Sequence, residues 1–367
     1  MTHLHRIFAS PSRYFQGPGT IDLLGQLLVC YGRAPVLLMD SSVRELIGDR
    51  VSLVCADAGV EPIVLITSGE VTYAAIDQLL ADCYENRPTV VVGLGGGKVL
   101  DSAKALSQRL GVPVMTVPTI ASNDSPTSSA IAMYDQDHFL IAVDMMQANP
   151  VAVLVDTQLI ASAPIHFLLS GIGDAIAKLY EAQGCARGQG LTPLGTRPLL
   201  IAGVIAQACY DTLRADAIQA IEDCGRGSVS ASLERVVEAV VLMSGLAFEN
   251  GGLSLAHSLT RGLMRVDGAR DLLHGYQVAW GALVQMQAEG RPVDEVADLA
   301  KFLTSLGLPI SSADLQLVQP WNEQHAIIAR HTMSSPHMGN LRVAMREDSI
   351  VEAIQQLDHL CFNLENF

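Results

Sequence analysis

The sequence lacks several features that would place the protein outside the ordinary globular proteins. None of its apolar runs reaches the roughly 20 residues that a transmembrane helix needs, and its first residues include no apolar segment typical of a signal peptide. The seven cysteines are odd in number and show no Cys-x-x-Cys spacing. This pattern argues against a disulfide framework or a thiolate zinc site and favours a reducing compartment. We therefore expect a cytoplasmic protein without a membrane anchor.

Basic clusters are also missing. The chain has 23 Lys and Arg against 38 Asp and Glu, a formal net charge of −15. Because binding to DNA or RNA depends on neutralising phosphates with Lys and Arg, this balance argues against a nucleic-acid partner. What the chain does have is length and apolar content. Its 367 residues, 49% of them hydrophobic, suffice for two domains with separate cores.

A glycine-rich turn is the most informative local pattern. Residues 89–92 form a β-branched run typical of a strand buried on both faces of a parallel sheet. The glycines that follow, Gly95, Gly96 and Gly97, allow the backbone to turn tightly and approach a ligand. After Lys98 apolar residues recur at helical spacing. A strand, a glycine turn and a helix N-terminus in this order favour phosphate binding, although an ordinary βα turn would look the same.

Further strand-like runs alternate with helical patterns in the first part of the chain. This rhythm predicts an α/β domain with a doubly wound parallel sheet of the Rossmann-like type. After about residue 160 helix-period patterns dominate, so we expect an all-helical second domain and place the domain limits at 1–160 and 161–367. The predicted strands are 34–41, 62–67, 89–92, 112–119 and 151–156. We expect the last of them to close the sheet.

Polar residues stand at the ends of the predicted strands, where open parallel sheets bind their ligands. Asp40 follows the first strand, and Thr119 ends the fourth, which opens onto the polar loop 120–129. A carboxylate at the position of Asp40 suits hydrogen bonds to a nucleotide ribose, and the alternative is an N-cap for the following helix. The clustering of these positions at one edge favours a ligand site there.

Three short segments of the second half combine a metal-binding side chain with small neighbours. They contain Asp174, His257 and His274. One carboxylate and two imidazoles leave a fourth position open for substrate or water, as in catalytic zinc sites, and they also resemble the two-histidine, one-carboxylate sites of ferrous iron. The spacing matches no short metal motif. A hydrogen-bonded core histidine is the alternative for either imidazole.

Several segments, taken in their order and spacing, carry a resemblance to a known family over nearly the whole chain. They are residues 11–19, 93–105, 118–128, 155–157, 171–174, 251–257 and 274–281. Together they are similar to the glycerol dehydrogenase branch of the iron-containing (group III) alcohol dehydrogenases. The resemblance implies a two-domain architecture shared with dehydroquinate synthase.

The resemblance also implies cofactors and site residues. NAD would bind in the cleft between the two domains, and a divalent metal, with zinc favoured and iron as the alternative, would be held by Asp174, His257 and His274. Asp124 would touch the substrate, completing the catalytic set. Asp40 would repel a 2′-phosphate, which favours NAD over NADP. The residues implied for cofactor binding are Asp40, Gly95, Gly96, Gly97, Lys98, Asp101, Thr119, Ser128 and Tyr134.

The reaction that the resemblance implies is hydride transfer between NAD and a small polyol, foremost glycerol to dihydroxyacetone, in a homo-oligomer. The alternatives on the same scaffold are a hydroxycarboxylate (2-oxo acid) reductase or another alcohol dehydrogenase, and, ranked last, a 3-dehydroquinate synthase-like lyase. An anionic substrate would favour a basic residue near Asp124, and that loop has none. Thr260, Tyr276 and Gln277 depart from the pattern of the branch without removing a metal ligand.

Overall fold

The computed structural model describes residues 5–32 and 34–365, which form two compact units. The first, the sheet unit, contains Ala9–Ile165 and Glu222–Gly245. The second, the helical unit, contains the described residues before Ala9, His166–Ile221 and the described residues from Leu246 onward. The sequence carries no signal for the return of the chain to the sheet unit at Glu222. The domain limits 1–160 and 161–367 stay a prediction.

The sheet unit is built on a six-stranded parallel sheet. The strands of the described chain are β1 Tyr14–Gly17, β2 Pro35–Met39, β3 Ile63–Ile66, β4 Val90–Gly95, β5 Val114–Pro118, β6 Ala130–Tyr134, β7 Leu140–Met145 and β8 Ala152–Asp156. The sheet has the order β1-β8-β5-β4-β2-β3 with all neighbours parallel. The remaining two strands, β6 and β7, form a separate antiparallel pair.

Helices cover both faces of this sheet, which explains why its inner strands are apolar except for Thr116 of β5 and Asp156 of β8. Side chains alternate along β2: Leu37 and Met39 join one buried cluster, while Val36 and Leu38 join another. The strands β2, β4, β5 and β8 are buried along their whole length. Because neither face of these strands meets solvent, their sequences do not alternate between apolar and polar residues. The predicted doubly wound sheet is confirmed.

Fourteen α-helices run along the described chain. They are α1 Leu24–Val29, α2 Ser41–Asp57, α3 Tyr73–Cys83, α4 Gly97–Leu110, α5 Thr157–Ala161, α6 Ile165–Arg187, α7 Leu200–Gly225, α8 Ala231–Glu238, α9 Ser244–Gly251, α10 Leu255–Leu263, α11 His274–Ala288, α12 Val293–Ser305, α13 Trp321–Thr332 and α14 Glu347–Glu365. The sheet unit contains α1 to α5 and α8. The helical unit contains α10 to α14 and most of α6, α7 and α9.

Two details of the sheet differ from the sequence-based prediction. The strand predicted at 151–156 is present as β8, but it does not close the sheet, because β1 pairs with it on its outer side. The sequence gives little sign of β1, which is only four residues long and ends beside the Gly17, Pro18 and Gly19 turn. The β6–β7 hairpin, whose turn is the acidic segment 135–139, was likewise not predicted.

In the described part of the helical unit, every regular element is a helix. This confirms the predicted change of architecture after the sheet. None of the described helices is long and apolar enough to cross a membrane. The seven cysteines are all free thiols, and six of them are buried.

Candidate metal centre and nucleotide site

Close crossing of two helices brings the first and third candidate metal ligands together. Gly173 of α6 and Gly275 of α11 lie where the two helices meet: a Cβ on Gly173 would overlap the carbonyl oxygen of Gly275, and one on Gly275 would overlap that of Ser170. Only glycine allows this approach. Asp174 and His274 are the chain neighbours of the two glycines, so the crossing places their side chains at one point.

The N-terminus of α10 positions the second candidate ligand, His257. The Oε1 atom of Glu181 accepts hydrogen bonds from the backbone amides of Ser254 and His257, at 2.9 and 3.0 Å. The Oε1 atom of Gln285 accepts from the Ser254 hydroxyl and from the Ala256 amide, at 2.8 and 3.1 Å. Side chains of α6 and α11 thus satisfy the free amides that begin α10. The position of His257 is fixed by this network.

The three candidate ligands form one cluster in the helical unit. One ligand atom from each of Asp174, His257 and His274 lies within 4.8 Å of the other two. The Oδ1 atom of Asp174 is 3.1 Å from Nε2 of His257 and 3.8 Å from Nε2 of His274. Asp174 is buried, whereas 45% of the His274 side chain is exposed. The cluster therefore has a buried anchor and one open side.

The charged groups of this cluster shift one another's pKa values. Burial alone would lower the pKa of His257, but the carboxylates of Glu181 and Asp174 outweigh it and raise that pKa to about 9. Burial alone would raise the pKa of Asp174, yet the positive charges of Lys178 and His257 hold it well below its usual value. The pKa of Glu181 is also lowered, because the attraction of His257 and Lys178 exceeds the effect of burial. Both carboxylates are therefore charged.

The donor set fits a divalent cation. Ligands about 2.1 Å from one ion in tetrahedral geometry lie roughly 3.4 Å apart, close to the separations found here. The Oε2 atom of Glu181 is 2.6 Å from Nδ1 of His257, which leaves Nε2 of that ring to face the cluster. A carboxylate in this position is typical of metal-bound histidines.

The cluster also contains a charged residue that is not among the predicted site residues, Lys178. It follows Asp174 by one helical turn on α6, and its Nζ lies 2.5 Å from Oδ1 of Asp174 and 3.2 Å from Nε2 of His257. Only 1% of its side chain is exposed. The spacing of four residues, which places two side chains on one face of a helix, could have indicated this contact.

Two of the departures from the branch pattern, Thr260 and Gln277, have local structural roles. The Thr260 hydroxyl donates to the carbonyl of His257 at 2.7 Å, within α10. The Nε2 atom of the buried Gln277 donates to the carbonyl of Ala269 at 2.8 Å, which ties down the turn before His274. Neither side chain takes the place of a candidate ligand.

The glycine turn of the sheet unit has the geometry of an anion site. Gly96 is the N-cap of α4 and provides no capping side chain, so the first amides of the helix are left for another acceptor. A Cβ on Gly97 would lie 2.8 Å from the side-chain nitrogen of Asn123, and one on Gly95, whose φ is +155°, would lie 2.9 Å from Cβ of Val99. Gly95 is therefore restricted to glycine by close packing and by backbone conformation, whereas a side chain at Gly97 would displace the Asn123 amide.

Two polar residues of α4 are engaged within the sheet unit. Lys98 forms an ion pair with Glu70 at 2.5 Å, and the same oxygen of Glu70 is 2.8 Å from Nδ1 of His138. Asp101 is buried, and its Oδ1 accepts from the Ser125 hydroxyl at 2.6 Å and from Nζ of Lys104 at 3.1 Å. These contacts give Asp101 a structural role, and a pyrophosphate contact from this residue stays a prediction.

The other predicted cofactor residues also lie in the sheet unit. The Oδ1 atom of Asp40 accepts from the Val43 amide at 2.8 Å and from the Ser42 hydroxyl at 2.6 Å, so Asp40 is the N-cap of α2. Thr119 and Ser128 are buried. Burial, with the negative charges of Asp101 and Glu70, raises the pKa of Tyr134 to about 12.

Asp124, the predicted substrate contact, lies in the loop after β5. Its Oδ2 accepts from the Ser244 hydroxyl at 3.3 Å. Ser244 follows a π-helical turn, Ala239–Met243, and such turns are frequent at functional sites. A Cβ on the next residue, Gly245, would overlap Oγ1 of Thr127. Sequence patterns had not singled out this contact between the loop and the returning segment.

Comparison with known proteins identifies the family. Residues 16–164 match the family model described as iron-containing alcohol dehydrogenase. Glycerol dehydrogenase of Escherichia coli O6:H1 is 35% identical over 326 residues, which cover 89% of this chain and 89% of that protein. The chain belongs to the iron-containing alcohol dehydrogenase family. Within the family it lies in the glycerol dehydrogenase branch, and it is an oxidoreductase.

Two further proteins are similar to this chain over most of its length. The crystal structure of glycerol dehydrogenase from Schizosaccharomyces pombe superimposes with a TM-score of 0.94 at 32% identity, over 99% of this chain and 92% of that chain. Hydroxycarboxylate dehydrogenase A of Escherichia coli K12 is 28% identical over 368 residues, 96% of this chain and 97% of that protein. The fold of that glycerol dehydrogenase therefore extends over nearly the whole chain.

Proposed function

We propose that this protein catalyses the NAD-dependent oxidation of a small polyol, with glycerol as the first candidate, assisted by a divalent metal. The observation that carries the proposal is the cluster of Asp174, His257 and His274, whose ligand atoms lie within 4.8 Å of one another. Its relatives named glycerol dehydrogenase support the choice of substrate. Zinc is the preferred ion because one carboxylate and two imidazoles with an open position suit catalytic zinc, and iron is the alternative.

The protein side chains have separable tasks in such a reaction. Asp174, His257 and His274 would hold the ion, and Glu181 aims Nε2 of His257 at it. When bound, the cation would supply the Lewis acidity that lowers the pKa of a substrate hydroxyl. The amides at the start of α4 suit the cofactor phosphates, and NAD would accept the hydride.

Asp124 has the properties of a substrate-orienting residue. Its carboxylate is held by the Ser244 hydroxyl and can accept a hydrogen bond from a second hydroxyl of a polyol. The protein must bring the two reacting carbons to about 3.5 Å and exclude water. A diol offers one hydroxyl for ionisation and another for orientation, which fits these contacts.

A second candidate, the reduction of a 2-oxo acid, is favoured by Lys178. The polar loop around Asp124 has no basic residue, but the metal cluster itself contains this buried ammonium. A carboxylate on the substrate could pair with it. The relative named hydroxycarboxylate dehydrogenase A is consistent with this chemistry. The lyase alternative remains last, because the family is one of oxidoreductases.

The decisive experiment is NADH formation with glycerol, 1,2-propanediol, lactate and ethanol, before and after EDTA treatment and with zinc or iron added back. We expect the diols to give the highest kcat/KM and EDTA to abolish turnover reversibly. His257→Ala should lose turnover and retain NAD binding, whereas His166→Ala, which removes a histidine outside the cluster, should retain both. A preference for lactate would favour the second candidate function, the reduction of a 2-oxo acid. Full turnover of His257→Ala would exclude this cluster as the catalytic metal site. The homo-oligomer and the cytoplasmic location stay predictions.

A further inference from the structure

Lys178 lies where a metal ion would need to bind. Its ammonium nitrogen is 2.5 Å from Oδ1 of Asp174 and 3.2 Å from Nε2 of His257. These are two of the three ligand atoms that form the candidate metal cluster. Metal ligands lie about 2.0–2.2 Å from the ion, so an ion on these atoms would lie in the space that the ammonium now fills.

Repulsion between their charges prevents a divalent ion and the Lys178 ammonium from occupying this position together. A divalent ion and an ammonium repel each other, and the repulsion is strong at short range in a buried site. Lys178 is only 1% exposed, so bulk water does not screen it. The ammonium also offers the hydrogen bond and the positive charge that the buried carboxylate of Asp174 requires. Without an ion, Lys178 stabilises the cluster.

We propose that Lys178 is a built-in competitor for the metal ion. Its ammonium holds the ligand cluster together in the metal-free protein, and a divalent ion binds only by displacing it from Asp174 and His257. The inference rests on the proposed metal site. It assigns to Lys178 the control of metal affinity, a property of this chain's own side chain and not of the ligand set.

Two consequences distinguish this competitor from an ordinary buried ion pair. The metal-free protein keeps its cluster assembled, because one positive charge already neutralises part of the acidic pair Asp174 and Glu181. Metal affinity is lower than three ligands with an oriented histidine would otherwise give. Removing the ammonium should therefore lower the stability of the metal-free protein against unfolding and, at the same time, raise its affinity for the metal.

The test compares the wild type with Lys178→Met, which keeps the length of the side chain and removes its charge. Lys301→Met, a change at an exposed lysine of the same unit, is the matched control. Each protein is stripped with chelator and titrated with Co²⁺, whose visible absorption reports ligation directly, and with Zn²⁺ by calorimetry. We expect Lys178→Met to bind both ions at least tenfold more tightly than the wild type. Lys301→Met should bind as the wild type does.

Thermal unfolding provides a second measurement. The metal-free Lys178→Met protein should unfold at a lower temperature than the wild type, and Zn²⁺ should raise its Tm by more than it raises that of the wild type. If the variant folds only with metal, it is purified loaded, and the rate of Zn²⁺ transfer to excess chelator is measured. That rate should be lower than for the wild type.

The outcomes separate this inference from the proposed function. Equal or weaker binding by Lys178→Met, with wild-type binding intact, would overturn the competitor and leave the metal site standing. Absence of Co²⁺ binding in both proteins would overturn the metal site and the competitor together. Binding in Lys178→Met alone would support the competitor and overturn the proposed metal-assisted function of the wild type.

Discussion

Nδ1 of His257 and Oε2 of Glu181 lie 2.6 Å apart, and this contact sets the direction in which the imidazole faces. The other oxygen of Glu181 accepts two backbone amides at the start of α10, so one buried carboxylate positions both the ring and the helix that carries it. Carboxylates behind metal-binding histidines fix the ring and increase its basicity.

We expect Glu181→Gln to weaken Zn²⁺ binding by roughly 10- to 100-fold, because the amide removes the charge behind His257. Metal titration of the chelator-treated protein measures this change. Glu323→Gln, at an exposed site on α13, controls for loss of a negative charge. Wild-type affinity in Glu181→Gln would show that the carboxylate supports the helix but does not influence the metal.

The crossing of α6 and α11 gives a prediction for glycine. Gly275→Ala should lower the free energy of unfolding by about 1–3 kcal/mol or more, because the new methyl group would overlap the carbonyl of Ser170 and force the helices apart. Metal affinity should fall with it, since His274 moves as well. Gly203→Ala is the matched helical control. A Cβ there meets no atom within 4 Å, so it should stabilise the protein by roughly 0.5–1 kcal/mol. Urea denaturation measures both, and equal effects would contradict the packing argument.

Asp40 has two proposed tasks that substitution can separate. Asp40→Ser retains a side chain that caps α2 but removes the charge, so the stability should hold while the kcat/KM ratio for NAD over NADP falls. Asp40→Ala should lower that ratio equally and also cost about 1 kcal/mol of unfolding free energy. Steady-state kinetics with both cofactors and urea denaturation measure the two effects. An unchanged cofactor ratio in both variants would leave Asp40 as an N-cap alone.

The buried ammonium of Lys104 supports the loop after β5. It lies 3.1 Å from Asp101, 3.1 Å from the Ser125 hydroxyl and 2.8 Å from the carbonyl of Ala130. Lys104→Met should lower the free energy of unfolding by about 3–5 kcal/mol, because it leaves the buried carboxylate of Asp101 without its cation. Lys301→Met, at the surface, should change it by less than about 0.5 kcal/mol. Similar unfolding midpoints for the two variants would contradict this role.

The sequence predicted the sheet more completely than the site. The β-branched run at 89–92 reads as a buried strand because β4 has helices on both of its faces, and the glycines after it are required by contacts with Val99 and Asn123. The edge strand β1 escapes prediction, because its four residues beside a glycine and proline turn carry no periodic signal. Local pattern therefore identifies five of the six strands, including the edge strand β3, and misses only β1 among the strands of this sheet.

The metal cluster shows the limit of reading residues along the chain. Asp174, His257 and His274 are far apart in sequence and match no short metal motif, so their residue types suggest a shared site and the resemblance to a family strengthens that suggestion. Lys178 and Glu181 lie on the same helix as Asp174, yet the helical pattern alone favours a surface position for a lysine and a glutamate. Their burial depends on the packing of α10 and α11 against α6, which local sequence does not encode.

The return of the chain to the sheet unit has a consequence for synthesis on the ribosome. Gln16 of β1 donates to both the carbonyl and the carboxylate of Glu234, and the hydroxyl of Thr157 donates to the same carboxylate at 2.7 Å. Glu234 follows Thr157 by 77 residues. When β8, the last strand of the sheet, has left the ribosome, the residue that Gln16 and Thr157 bind has therefore not yet been synthesised. The first domain to emerge must remain incomplete while a segment of the second, His166–Ile221, is translated.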